Sequence, residues 1–142
     1  MLLFCCTKFL GQTDRSLEET KSYIVSTMNK HATQDKQPLK VQFEGDLMRV
    51  QRMDKKYERP LEKGHILNCL NIYRIKGPLR EPGNVAEVII WVDYLVNPKR
   101  NKWDKNNFSF LVDDHDAAEQ IILAFEHLNR LLKAQNSKVE KF

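Results

Sequence analysis

Cysteine, glycine and proline are all scarce. Three cysteines, five glycines and five prolines are spread over 142 residues, which excludes a disulfide-dense scaffold, a collagen-like repeat and a low-complexity linker. No apolar run approaches the ~20 residues that a helix needs to cross a bilayer. The glycines are isolated, so neither a Gly-x-Gly-x-x-Gly turn nor a P-loop is available to cradle phosphates, and no Gly-x-Ser-x-Gly elbow presents a nucleophile. His31, His65, His115 and His127 are scattered, with no i, i+4 pair of the kind that holds zinc on a helix. Neither charge sign dominates: 23 Lys and Arg against 19 Asp and Glu give a formal +4, a mild preference for anionic partners that permits nucleic acid without indicating it.

What is there suits one ordinary domain. With 42% hydrophobic and 30% charged residues, a chain of this length removes roughly two-thirds of its unfolded surface from water and needs no metal, disulfide or cofactor to supply a core.

Residues 1–12, Met-Leu-Leu-Phe-Cys-Cys-Thr-Lys-Phe-Leu-Gly-Gln, follow no period of 2 or 3.6 and stop at a polar segment. They read as an apolar leader, a short signal peptide whose positive n-region is missing. Cleavage after Gly11 leaves Gln12 first; Cys5-Cys6 lacks the small residue that precedes a lipidated cysteine. The rival reading is an apolar N-terminal strand or arm docked on the core. Without the leader only Cys69 remains, in an apolar run where a free cysteine acts as a small buried hydrophobe.

The expected domain covers 13–134, with a frayed tail over 135–142. Ser16-Leu17-Glu18-Glu19 is a capping box opening a helix to about Ala32, with Leu17, Tyr23, Ile24, Met28 and His31 as its stripe. From Leu39 the period becomes 2, Gly45-Asp46 turns the chain, and 47–53 runs back as a hairpin. Residues 54–64 read as a loop or an exposed hairpin tip. Residues 66–76 form a strand with Leu67, Cys69, Tyr73 and Ile75 on one face and Ile66, Leu70 and Ile72 on the other, ended by Gly77-Pro78. Residues 85–96 are apolar on both faces, a central strand. After the polar turn 97–102, Phe108, Phe110 and Val112 make a short strand, and Asp114 or Asp116 caps a long helix whose apolar face is Ala118, Ile121, Ile122, Phe125, Leu128, Leu131 and Leu132. The expectation is an α+β fold: a helix, an antiparallel sheet of about five strands, and a long C-terminal amphipathic helix packed on it. This element order is similar to the pleckstrin-homology-like arrangement.

Two groups carry candidate chemistry. Asp113-Asp114-His115-Asp116, with Glu119 near, is the densest set of metal-ligand types. It lacks the glycine and spacing of a calcium loop, and acids before a helix satisfy its free N–H groups, so capping is preferred. The other group is Lys99, Arg100, Lys102 and Lys105 around Trp103, cations about an aromatic that can enter a partner's groove while the charges meet phosphates or carboxylates. The competing role for Trp103 is to cover the sheet end beneath lysine stems. Arg74 and Arg80 flank the Gly77-Pro78 segment as two more exposed cations.

The leader ending Gly11-Gln12, the helix opening Ser16-Leu17-Glu18-Glu19-Thr20, and Ala124-Phe125-Glu126-His127-Leu128-Asn129-Arg130-Leu131 in the last helix together resemble small exported proteins of unknown function from Bacteroidetes. That resemblance implies a periplasmic or envelope location and no known activity.

The reading is therefore an exported, periplasmic or secreted, non-catalytic binding module. It meets a protein or an anionic envelope component through Lys99, Arg100, Lys102, Trp103, Lys105, Arg74 and Arg80. The first alternative is a cytoplasmic module binding anionic lipid headgroups or nucleic acid through the same loop. The second is a small metal-dependent hydrolase using Asp114, His115 and Asp116.

Overall fold

The computed structural model describes residues 15–140, and their side chains to residue 137; the leader lies outside the described residues. Helix α1, Leu17–His31, opens with the capping box: Ser16 Oγ accepts from the Glu19 amide at 3.1 Å and Glu19 Oε1 accepts from the Ser16 amide at 2.9 Å, a cap worth about 1 kcal/mol. Tyr23, Ile24 and Met28 are buried, as the spacing predicts.

The expected open sheet of about five strands with a pleckstrin-homology-like layout is overturned. Six antiparallel strands close into a barrel: β1 Ala32–Gln34, β2 Gln37–Glu44, β3 Leu47–Arg52, β4 His65–Arg80, β5 Ala86–Asn97 and β6 Lys102–Val112. Helix α2, His115–Glu140, lies chiefly against β4 and α1.

Closure depends on β1. The chain leaves α1 directly into it, because Ala32 is already extended (φ −95°, ψ 139°). On one side β1 pairs Ala32 with Val112 and Thr33 with Leu111; on the other it pairs Thr33 with Pro38 and Gln34 with Gln37. Asp35 and Lys36, at φ 52° and 66°, make the tight left-handed turn between β1 and β2. A strand this short shows no alternation, so 32–38 reads from sequence as a helix end and a break.

β4 is also longer than the pattern suggests and is not regular. Its pairing with β5 slips between Asn68 and Ile72, between Ile72 and Arg74, and between Lys76 and Leu79. Such bulges change which face a residue takes. Tyr73, expected on one face with Leu67, Cys69 and Ile75, is 53% exposed, while Leu67 and Cys69 are buried. Gly77, at φ 130°, sits at the last slip, where a Cβ would lie 2.7 Å from Glu87 O. The Asn129 amide stabilises the first bulge by donating to Cys69 O and Leu70 O, both at 2.9 Å.

The core joins the inner sheet face to the helices: Leu39, Val41, Met48, Val50, Val88, Ile90, Phe108 and Phe110 meet Ile24, Met28, Ile121, Phe125 and Leu128. Two polar contacts fix the helices around it. Lys21 reaches Asp46 Oδ1 (2.8 Å), Gly45 O (2.9 Å) and Glu18 (3.3 Å), and Gln135 donates to Asp46 Oδ2 at 3.0 Å. α2 thus runs on past Ala134, where the sequence pattern ends the domain.

Candidate functional site

Residue alternation along β5 and β6 determines which side chains lie outside the barrel. Val88, Ile90 and Val92 of β5 point inward with Phe108 and Phe110 of β6, so the intervening residues face out and pair across the strands: Trp91 with Asn107, Asp93 with Lys105, Leu95 with Trp103. From β4, Arg74 is opposite Trp91 on the same face.

The bulge completes this face. Asp93 accepts from Tyr73 Oη at 2.7 Å and from Asn71 Nδ2 at 2.8 Å, which turns Tyr73 outward and raises the pKa of its hydroxyl, because the neighbouring carboxylate favours the neutral phenol. Lys105 Nζ stands 4.8 Å from the Tyr73 ring and the Arg74 guanidinium 5.2 Å from the Trp91 ring, both within cation–π range. Beyond them the β5–β6 connection turns through a single 3-10 turn, Pro98–Arg100. Asn97 caps it, and Asn101 in left-handed conformation ends it. Trp103 is on the strand, not in the turn; it is half-buried against Leu95, with Nε1 donating to Asn101 Oδ1 at 3.0 Å.

The structure brings together five of the seven residues singled out from sequence, Lys99, Arg100, Lys102, Trp103 and Lys105, on the β5–β6 hairpin; Arg74, opposite Trp91, neighbours the Lys105 end of the group and lies roughly 20 Å from the turn at ~3.3 Å per strand residue. Arg80 is not among them. It pairs with Ala86 at the other end of β4, on the order of 20 Å from Arg74 at ~3.3 Å per strand residue. Tyr73, Asn71, Asp93 and Trp91 belong to the face and were missed. The alternation of β5 assigns Trp91 and Asp93 to one face, but Tyr73 depends on bulges that leave no trace in residue pattern.

Charge pairing separates this face from the arginines of the other basic stretch, though not from its Lys55 and Lys56, which also form no ion pair among the described residues. Around β3, Arg49 is paired with Glu44 (2.8 Å), Arg52 with Glu62 (2.9 Å) and Asp35 (3.0 Å), and Arg59 with Asp54 (3.9 Å). Among the described residues, Lys99, Arg100, Lys102, Lys105 and Arg74 form no ion pair.

Of the other candidates, Asp114, His31, His127 and Cys69 take structural roles. Asp114 Oδ1 accepts from the Asp116 amide at 3.0 Å and Asp114 O from the Ala118 amide, so Asp114 caps α2. His115, Asp116 and Glu119 have ligand-type atoms within 4.8 Å of one another. They occupy the positive end of the α2 dipole, which favours anions over a metal ion. His31 Nδ1 meets Asp113 Oδ1 at 2.6 Å, joining α1 to the end of β6. His127 is buried, donating to Arg15 O at 2.9 Å. Cys69 is fully buried, which pushes its thiol up to about 12 and leaves no thiolate at neutral pH. Among the described residues no helix is long and apolar enough to cross a membrane.

No family model matches this chain, and no curated protein or solved structure matches it either.

Proposed function

We propose that this chain is a non-catalytic binding module of the cell envelope or medium that takes an anionic partner on the outer face of β4, β5 and β6 and at the β5–β6 turn. The observation that carries the reading is the charge arrangement: Lys99, Arg100, Lys102 and Lys105 fall within one hairpin and, with Arg74, form no ion pairs among the described residues, while the arginines around β3, Arg49, Arg52 and Arg59, are paired with carboxylates. Charges left unpaired beside the exposed ring of Tyr73 and the half-buried rings of Trp91 and Trp103 are available to a partner's carboxylates or phosphates, and desolvating such a contact strengthens it. Export is supported by the apolar leader over 1–12.

The test is binding of short polyglutamate at rising salt. The triple variant Lys99→Ala/Arg100→Ala/Lys102→Ala loses about tenfold or more in affinity and flattens the salt dependence, since each removed cation takes out one screened contact. Arg80→Ala and Lys55→Ala/Lys56→Ala bind as the parent does. Equal losses in all three variants would mean diffuse attraction by net charge and would end the proposal. N-terminal mass and cell fraction of the native protein test export: a chain beginning near Gln12 outside the cytoplasm supports it, and an intact Met1 in the cytoplasm removes it.

A further inference from the structure

The barrel is closed by backbone pairing over only two residues of β6. β1 reaches Val112 and Leu111 and no further, so from Phe110 back to Lys102 the strand has β5 on one side and no strand on the other among the described residues.

Which groups this edge presents follows from the register. The Asp113 amide donates to His31 O across the β1 side. In an antiparallel strand the direction of N–H and C=O alternates with a period of two. No slip interrupts β6 against β5 between Val112 and Trp103. The odd residues Leu111, Ser109, Asn107, Lys105 and Trp103 therefore turn their backbone groups away from β5.

Part of the opened seam is closed by side chains. Gln34 Nε2 donates to Ser109 O at 2.7 Å. Asn106 Oδ1 accepts from the Asn107 amide at 2.8 Å, and Tyr94 Oη donates to Asn107 O at 2.9 Å. On the facing strand, Asn29 from α1 takes the place of a neighbouring strand, accepting from the Val41 amide at 2.7 Å and donating to Val41 O at 3.4 Å. The capping stops at Asn107. Among the described residues, the N–H and C=O groups of Lys105 and Trp103 have no protein partner.

We infer that this open segment of β6 binds an acidic peptide in extended conformation, which adds as a strand antiparallel to β6 at Trp103–Lys105. The inference rests on the anionic-partner reading above and names how the partner docks. Main-chain bonds along an exposed edge supply affinity, and side chains on alternate faces supply selectivity. Between Pro98 and Asn107 the hairpin carries the cations Lys99, Arg100, Lys102 and Lys105 against the single acid Asp104. That charge repels a second copy of the same edge and attracts an acidic strand. Trp103 and Lys105, both on the outer face with the exposed ring of Tyr73, offer apolar and cationic surfaces to alternate side chains of the incoming peptide.

The experiment measures fluorescence anisotropy of the full-length protein with a labelled short peptide of alternating glutamate and valine, and with the same peptide N-methylated on alternate residues. N-methylation removes edge donors without changing charge, so binding weakens by about tenfold or more. In the protein, Lys105→Gln removes charge alone, whereas Lys105→Pro also removes the outward amide. The proline lies on the side away from β5 and leaves that ladder whole. Lys105→Pro binds several-fold more weakly than Lys105→Gln. If the methylated peptide and Lys105→Pro bind like their counterparts, strand addition is wrong, even with full salt dependence. If Lys105→Pro fails to fold, the methylated peptide decides alone. If polyglutamate binds and the plain peptide does not, the docking mode falls and the anionic reading survives; if neither binds, both fall. A dimer in sedimentation that Lys105→Pro abolishes would assign the edge to a second copy and overturn the acidic-peptide partner.

Discussion

Replacing Asn129 by alanine tests whether the bulge that builds the outer face is held from α2. The Asn129 amide is the donor to Cys69 O and Leu70 O at 2.9 Å each, and these residues lie in the stretch of β4 between Asn68 and Ile72 that has no partner on β5. Cys69 is fully buried and Leu70 half-buried, so water cannot readily replace the donor at the first carbonyl and does so only in part at the second. An orphaned buried polar group costs about 1–3 kcal/mol, which gives roughly 2–4 kcal/mol for the pair with Leu70 at the lower end. In urea unfolding, with a slope of about 2 kcal/mol/M for a domain of this size, the midpoint falls by roughly 1–2 M. Asn129→Asp retains the shape, loses both donors and turns a carboxylate toward two carbonyls, so it falls at least as far. Losses of about 0.5 kcal/mol or less in both variants, the range of an ordinary surface substitution, would refute the claim that α2 holds the bulge.

Two further outcomes follow from the same packing. Cys69 gives up its proton from about 9.0 when unfolded and at about 12 when folded; above pH 9 the unfolded state binds fewer protons, so stability falls as pH rises, by up to about 1.4 kcal/mol per unit from this group. Cys69→Ala removes that part of the slope, and equal slopes for parent and variant in denaturant titrations would show the thiol to be accessible. Trp103→Ala costs about 1–2 kcal/mol, less than the 3–5 kcal/mol of a core tryptophan, because the ring is only half-buried at the strand surface. Thermal melting reads the difference, and loss of folding would place Trp103 in the core and remove it from the binding face.

Much of the fold is legible in the residue pattern. The capping box of α1, the hairpin turning at Gly45-Asp46, the doubly apolar β5 and the stripe of α2 each rest on local chemistry that repeats over several turns or strand pairs. Closure of the barrel is not, because β1 is too short to show a period and its pairing with β6 joins residues some eighty positions apart. Bulges escape for a related reason: Tyr73 and Ile75 are spaced for one face, and only the slipped register on β5 separates them. At the candidate site, the cations around Trp103 stand out because they are neighbours in the chain. Strand pairing brings Arg74 only to the Lys105 end of the group, opposite Trp91, and carries Arg80, nearer in sequence, further away along the same strand.

The most direct test of the central claim is amide chemical-shift mapping of the full-length protein titrated with short polyglutamate. Binding on this face concentrates the perturbations at 99–105 and at Tyr73 and Arg74, and they weaken together as salt rises. Perturbations centred instead on Arg49, Arg52, Lys55, Lys56 and Arg59, or spread evenly over the basic residues, would contradict it.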